Sequence, residues 1–147
     1  IGRYAALAFA KEGASVAVTG TGRDPSTFPD DEREAGWLDV ESVAQEMVND
    51  YGVGGLPLVV DVSDPSQVQD AVDRTVAAFG RVDFLVNNAS AGRMAAWAEF
   101  GDLTPEAWDH VMDVKVKGAF LCTQAVTKEL MRQGGGGSIV NVISVEA

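Results

Sequence analysis

The sequence predicts an α/β protein in which parallel strands form a doubly wound sheet, with helices on both faces in a three-layer arrangement. Amphipathic helical patterns alternate with short apolar runs along the whole chain. These runs show no helical period, which suits strands buried on both faces of a sheet. Because parallel strands require helical crossovers, the alternation itself favours a parallel sheet.

The elements follow in a regular order. Helices are expected over Ile1–Lys11, about Val40–Tyr51, Pro65 through Phe79, and about Pro105–Arg132. Strands are expected over Ser15–Thr19, Leu56–Val60, Val82–Val86 and Ser138–Ile143. The acidic stretch from Gly20 to about Asp39 is interrupted by Pro25, Pro29 and Gly36, so we expect a long loop there.

Local signals mark the ends of the helices. Gly13 is a plausible cap at the end of the first one. Asp64 precedes a proline, which is favoured at the first helical position. Thr104 caps the long helix, with Glu106 in its first turn, and the glycines from 134 to 137 end it.

Composition limits the class of protein. The chain has 147 residues, the size of one domain, with 46% hydrophobic and 22% charged residues. A formal charge of −11 argues against nucleic acid or an anionic membrane as a partner. No apolar run approaches the roughly 20 residues that span a bilayer. A single cysteine excludes an internal disulfide and fits a reducing compartment, so we expect a cytoplasmic protein.

Two residues that often carry chemistry are better explained structurally. His110 is the only histidine, which argues against a histidine-rich metal site and weakens any Ser-His-Asp scheme. We expect it on the solvated surface and expect no metal site. Cys122 lies in an apolar run and is expected in the core rather than as a nucleophile.

The most informative segment is the strand that ends in Asn87 and Asn88. Ligands of open α/β sheets bind at the carboxyl ends of strands. Side-chain amides placed there both donate and accept hydrogen bonds, to a ligand or to neighbouring backbone. By itself the segment is equally consistent with a strand that runs into an Asn-rich turn.

Several separated motifs resemble those of the short-chain dehydrogenases/reductases. The matching segments, in chain order, are Ile1-Gly2-Arg3, Asp61-Val62, Asn87-Asn88-Ala89, Gly118-Ala119-Phe120 and the run Ser138 to Ser144. Each motif is weak alone, but together they occur in the family's order and spacing. The resemblance implies a Rossmann-like fold and hydride transfer between a nicotinamide cofactor and a carbonyl or alcohol carbon.

The same resemblance implies that the family's first strand lies before Ile1 and its Tyr-x-x-x-Lys motif after Ser144. That first strand is central in the family's sheet. We therefore expect residues 1–147 to be one incomplete domain, an internal part of a longer reductase that by itself is poorly folded and inactive.

The resemblance also implies residue roles. Ser144 would polarise the carbonyl oxygen by hydrogen bonding. Gly2, after Ile1, would let the pyrophosphate approach a helix N-terminus. Asp61 would accept a hydrogen bond from the adenine amino group. The implied cofactor-binding residues are Ile1, Gly2, Thr21, Arg23, Asp61, Val62, Asn87 and Ala89, and the implied catalytic residues are Ser144 and Lys115.

Three features depart from the family pattern. Lys115 replaces an asparagine that supports the active-site water and lysine, and its ammonium either reaches the catalytic cleft or extends to solvent. Ser90 replaces a glycine and could narrow the nicotinamide pocket. The connection from Gly20 to Asp39 is longer than usual, which is most simply a tolerated surface insertion, although it could also reach a neighbouring subunit or cover the adenosine end of the cofactor.

The cofactor is expected to be NADP, with NAD possible. NAD enzymes commonly place an acid at the end of the second strand of the fold. Here that position is Gly20, and nearby Arg23 could pair with a 2′-phosphate. Asp24, beside Arg23, weighs against this pairing.

The function predicted is therefore an NAD(P)-dependent oxidoreductase of a small carbonyl or alcohol, a homodimer or homotetramer that assembles through the long helix. A dinucleotide-binding relative without catalysis is the alternative, supported by Lys115 and opposed by Ser144. A receiver-type signalling domain shares the alternation of elements but needs an acidic cluster that Asp61 alone does not provide. The substrate cannot be read, although Met94, Trp97 and Phe100 could form an apolar wall.

Overall fold

The computed structural model describes residues 1–22, 24–28, 30–34, 39–91 and 99–143. Helices alternate with parallel strands throughout these ranges, and the fold class is the Rossmann-like α/β class that the sequence predicts. The chain divides into two compact units, which are Ile1–Asp61 with Asp73–Arg81 and Val62–Val72 with Val82–Ala147. Within the described ranges, no helix combines the length and apolar character needed to cross a bilayer.

The first unit is built on a pair of parallel strands. Its elements are α1 (Gly2–Lys11), β1 (Val16–Gly20), a 3-10 turn (Pro25–Thr27), α2 (Asp30–Glu34), α3 (Val40–Tyr51) and β2 (Gly55–Val59). Strand β1 pairs with β2 from Val16 opposite Gly55 to Gly20 opposite Val59. The N–H group of Val60 then donates to the carbonyl oxygen of Gly20 at 2.8 Å, which extends the pairing to the carboxyl end of both strands.

The core of this unit lies between helices α1 and α3. Its buried members are small or flexible side chains, namely Ala6, Ala10, Val43, Ala44 and Met47. The alanines let the two helices approach closely, and Met47, which is fully buried, fills the remaining space. An ion pair between Arg3 on α1 and Glu46 on α3, at 2.5 Å, joins the same two helices at the edge of this core.

The acidic stretch after β1 is not the uninterrupted loop that the sequence predicted. It contains the 3-10 turn and the short helix α2. The carboxylate of Asp24 accepts the N–H of Ser26 at 2.8 Å, and the hydroxyl of Thr27 donates to the Asp24 carbonyl at 2.7 Å. Hydrogen bonds from the backbone and the side chain of Ser26 lower the pKa of the Asp24 carboxyl. In α2 an ion pair joins Arg33 to Asp30, one helical turn away. Local polar contacts thus order a segment that lacks the apolar pattern of a helix.

The second unit is built on another parallel pair. Its strands are β3 (Phe84–Asn87) and β4 (Ser138–Asn141). Its helical segments are a 3-10 turn (Phe100–Asp102), α5 (Pro105–Met112), a π turn (Asp113–Lys117) and α6 (Gly118–Gln133). Helix α4 (Pro65–Phe79) contributes its first half to this unit and its second half to the other. Buried aliphatic side chains of α6, including Val126 and Leu130, form part of the core.

The strand boundaries agree with the predicted ones to within two residues at each end. The largest difference at a strand start has a clear cause. The side chain of Gln133, at the end of α6, accepts from the N–H of Val82 at 2.8 Å and donates to its carbonyl at 2.7 Å. Because these groups bind a side chain instead of a neighbouring strand, β3 begins at Phe84 and not at Val82.

The long helix runs without a break from Pro105 to Gln133, one residue past its expected end at Arg132, and its hydrogen bonding changes in the middle. Residues Asp113–Lys117 form a π turn, in which the N–H of Gly118 donates to the carbonyl oxygen of Asp113. A π turn inside an α-helix is rare and is often associated with a functional site. The turn contains Lys115, one of the three departures from the family pattern.

Gly118 lies directly after the π turn, at a position where no side chain fits. A Cβ atom there would lie 2.6 Å from Cγ2 and 3.2 Å from Cβ of Val62. Val62 is β-branched and stiff at χ1, so it has little freedom to move aside. This close approach joins the Asp61-Val62 motif to the Gly118-Ala119-Phe120 motif.

We expect the substitution Gly118→Ala to lower the free energy of unfolding by about 1–3 kcal/mol, the usual cost of overpacking a well-packed site. Urea unfolding of the full-length protein measures it. Gly101→Ala is the matched control, because a Cβ there meets nothing within 4 Å. Adding Val62→Ala to Gly118→Ala should restore part of the loss, and equal stability of the two glycine variants would contradict the steric account.

Candidate functional site

The first group of candidate residues lies in the first unit. Gly2 begins α1, and Ile1, which is 82% exposed, precedes it. The positive end of the helix dipole is therefore at the glycine that the resemblance assigns to the pyrophosphate. Arg3 is not available as a mobile cation, since its guanidinium donates to both carboxylate oxygens of Glu46 at 2.6 and 2.5 Å.

The carboxyl end of β1 carries the next candidates. Gly20 is its last residue, and Thr21 follows in an exposed position. A Cβ on Gly20 would lie 2.8 Å from Cγ1 of Val40 and 3.2 Å from Oδ1 of Asp39. The space that a side chain would use at the end of β1 is thus filled from the N-terminus of α3. Arg23, on which the expectation of NADP rests, lies outside the described residues.

Asp61 and Val62 lie just beyond β2. Asp61 is exposed, as a residue that contacts adenine must be before the ligand binds. Val62 is half-buried and packs against Gly118. The structure therefore gives the two residues of this motif different tasks, one at the surface and one in the packing of α6.

The second group of candidate residues lies in the second unit, where the side chain of Asn87 binds both a neighbouring strand and a helix. Its Nδ2 donates to Oδ1 of Asn141 at 2.8 Å and to Oγ1 of Thr123 at 3.1 Å. Asn87 and Asn141 lie opposite each other in the β3–β4 register, and the carbonyl of Asn87 accepts the N–H of Val142 at 2.9 Å. Asn87 therefore ties two neighbouring strands together and also binds helix α6.

Asn141 and Thr123 were missed by the sequence analysis. Asn141 lies three residues before Ser144, inside a motif that was noted only for its serine. Thr123 follows Cys122 in a run that was interpreted as core. The register of a strand pair and the rotation of a helix decide both contacts, and a linear motif carries neither.

The remaining candidates are exposed or lie outside the described residues. Ala89 and Ser90 are exposed, and the hydroxyl of Ser90 donates to the carbonyl of Ala91 at 3.2 Å. Lys115 is exposed within the π turn, and it has no ion-pair partner in the part of the chain that the structure describes. Ser144 lies outside the described residues, as do Met94 and Trp97, whereas Phe100 is 91% exposed.

Two structural explanations made from the sequence are consistent with the observed environments. His110 is exposed on α5. Cys122 is half-buried, and burial raises the pKa of its thiol, so the reactive thiolate is disfavoured.

The comparisons with known proteins agree with the motifs. The family model for short chain dehydrogenases matches residues 1–147. A 2-dehydro-3-deoxy-D-gluconate 5-dehydrogenase of Dickeya dadantii is 39% identical over 100 residues, which are 68% of this chain and 38% of that protein. The chain therefore belongs to the short-chain dehydrogenase family.

Solved structures show the same relationship. A 3-ketoacyl-ACP reductase from Sinorhizobium meliloti 1021 superimposes with a TM-score of 0.78 at 36% identity, over 97% of this chain and 49% of that one. An NAD⁺-bound xylitol dehydrogenase superimposes with a TM-score of 0.78 at 31% identity, over 97% of this chain and 48% of that one. The chain spans about half the length of most of the curated relatives it matches.

We expect Asn87→Asp to lower the free energy of unfolding by about 1 kcal/mol or more. The new side chain keeps its size but can only accept, so the Thr123 hydroxyl and the Asn141 amide must both reorient to donate to it, and the half-buried position gains a charge. Urea unfolding of the full-length protein measures the loss. Asn49→Asp is the control, because Asn49 accepts a bond from Gln45 on the surface of α3 and an aspartate can still accept it. A loss no larger than that of the control would show that the amide contributes nothing to the strand pair.

Proposed function

We propose that the full-length protein is an NAD(P)-dependent oxidoreductase that interconverts a carbonyl and an alcohol by hydride transfer. The observation that carries the proposal is the polar network at the carboxyl ends of β3 and β4. There Asn87 binds Asn141, three residues before Ser144, in a chain of the short-chain dehydrogenase family. The two units would be parts of one Rossmann-type domain.

The first group of residues fits the adenosine half of a dinucleotide. Gly2 places a helix N-terminus where backbone N–H groups and the dipole favour a phosphate. Just beyond β2, the exposed carboxylate of Asp61 offers an acceptor that the adenine amino group would use. Ile1 and Thr21 would line the same half, and Arg23 is assigned to it from the sequence alone.

The second group fits the reacting half. A bound nicotinamide ring supplies or accepts the hydride. Asn87 and Ala89 would line its site, and Val62 holds the neighbouring helix in place through Gly118. Ser144 would donate a hydrogen bond to the oxygen that gains charge during reduction, and a donor aimed in advance at that position lowers the barrier.

Lys115 would act from the π turn by electrostatics. Its ammonium is exposed and is not neutralised by an ion pair within the described residues, whereas the neighbouring Lys117 binds Asp113 at 3.3 Å. A positive charge near the reacting oxygen would assist the same step that Ser144 assists. The Tyr-x-x-x-Lys motif that carries the proton in the family does not occur among residues 1–147.

The first test follows the oxidation of NADH and NADPH by the full-length protein with a panel of small aldehydes and ketones. We expect turnover, and we expect Ser144→Ala to lower kcat by about 10²–10³ while the Kd for the dinucleotide is unchanged. Ser138→Ala is the control, since Ser138 is exposed at the start of β4. A dinucleotide that binds without turnover on any carbonyl would favour the non-catalytic alternative.

The long helix also supports an oligomer. Four apolar side chains spaced at intervals of four residues are left exposed along it, namely Trp108 at 53%, Met112 at 37%, Val116 at 56% and Phe120 at 59%. We propose that a second copy of the chain covers this surface in a homodimer or homotetramer. A cytoplasmic location remains a prediction of the sequence.

Sedimentation velocity of the full-length protein tests the oligomer. We expect Phe120→Lys to dissociate it, because a charge would be buried without a partner in the interface. Val48→Lys is the control on the surface of α3, where Val48 is 44% exposed. A monomeric parent protein, or two variants that sediment alike, would contradict the proposed interface.

A further inference from the structure

At the end of β1, the residue type alone and the surrounding structure lead to different expectations for the cofactor. Gly20 occupies the position where NAD-binding Rossmann folds commonly carry an acid that accepts a hydrogen bond from the adenosine ribose. From the sequence, the missing acid predicted NADP. In the structure, the position has no room for any side chain, because a Cβ on Gly20 would lie 2.8 Å from Cγ1 of Val40.

A carboxylate nevertheless stands at this position. Oδ1 of Asp39 lies 3.2 Å from the point where the Cβ of Gly20 would be. Asp39 comes from the far end of the acidic stretch and is the residue that caps α3. The glycine and the aspartate are therefore complementary, since the absence of one side chain admits the other.

The carboxylate is held in place by its own helix. Asp39 accepts the N–H of Val40 at 2.7 Å, and its carbonyl accepts the hydroxyl of Ser42 at 2.8 Å. A capping box with Ser42 adds a bond from the Ser42 N–H to the Asp39 side chain. An ionised carboxylate has about four acceptor positions, so roughly two remain after capping. A pair of ribose hydroxyls needs two.

We propose that Asp39 is the residue that binds the adenosine ribose and sets the preference of this protein for NAD over NADP. The inference rests on the proposed function, because it assigns a residue within the dinucleotide site. The carboxylate accepts hydrogen bonds from the 2′- and 3′-hydroxyls. The 2′-phosphate of NADP has no hydroxyl to donate at that position and brings a like charge close to the carboxylate.

The capping bonds of Asp39 also occupy N–H groups of α3 that could otherwise bind the 2′-phosphate of NADP. The first N–H groups of a helix are good donors to an anion. In α3 those of Val40 and Ser42 are already taken by the Asp39 side chain. A 2′-phosphate at the end of β1 would thus meet an occupied helix N-terminus and a negative charge.

The experiment compares the Kd values of NAD⁺ and NADP⁺ for the full-length protein by calorimetry. We expect the parent protein to bind NAD⁺ more tightly. Asp39→Ser removes the charge but keeps a residue that caps helices well, so α3 should persist. We expect it to weaken NAD⁺ about tenfold, the usual effect of losing a hydrogen bond to a charged group, and to leave NADP⁺ unchanged or tighter.

Two further variants keep the result interpretable. Asp39→Asn is nearly isosteric and also caps helices, so it should reproduce the loss of preference if the charge is responsible. Asp64→Ser is the matched control, because Asp64 caps α4 through bonds from Ser66 and Gln67 that lower the pKa of its carboxyl to about 2. The Asp64→Ser variant loses a capping carboxylate at a different helix, so its ratio of Kd values for NAD⁺ and NADP⁺ should equal that of the parent protein.

Three outcomes would overturn the inference. A parent protein that prefers NADP⁺ would do so, as would Asp39 variants whose ratio of Kd values equals that of Asp64→Ser. In both cases the proposed oxidoreductase function would stand. If neither NAD⁺ nor NADP⁺ bound the parent protein, the proposed function would be overturned, and this inference with it.

Discussion

Parallel pairing of neighbouring strands is the constraint on which the rest of this structure depends. A parallel strand cannot follow its partner through a tight turn, so the chain must return along a helix. Helix α3 provides that return between β1 and β2, and the long helical run of α5 and α6 provides it between β3 and β4. In each pair the carboxyl ends then meet at one edge, where Gly20 and Asp61 lie in the first unit and Asn87 and Asn141 in the second.

Two glycines of this chain lie where another residue occupies the space that a side chain would need. At Gly118 the missing side chain admits Val62, which sets the position of α6. At Gly20 it admits the carboxylate of Asp39, which brings a charged group to an edge where ligands of this fold bind. In both places a glycine matters through the residue that occupies its space. A comparison of aligned positions alone would record only the loss of a functional side chain.

Hydrophobic periodicity was a good guide wherever packing decides the structure. The helix over Val40–Tyr51 has the predicted bounds, and the strands agree to within two residues. It failed where polar contacts decide. The acidic residues of α2 show no apolar stripe, and the late start of β3 follows from a glutamine at the far end of another helix. The π turn likewise leaves no mark in the pattern of apolar residues, because a change in hydrogen bonding from one turn to the next does not alter composition.

The sequence by itself determined the class of the protein, the order of its elements and the motifs of its family, since these depend on composition, local periodicity and short spacings. The tertiary structure decided which residues meet: Asn87 with Thr123 and Asn141, and Asp39 with the space beside Gly20. Such contacts join residues far apart in the chain, and they depend on strand register and on how closely a helix approaches a strand. Neither quantity is a property of a local segment, because both are set by the packing of the whole unit.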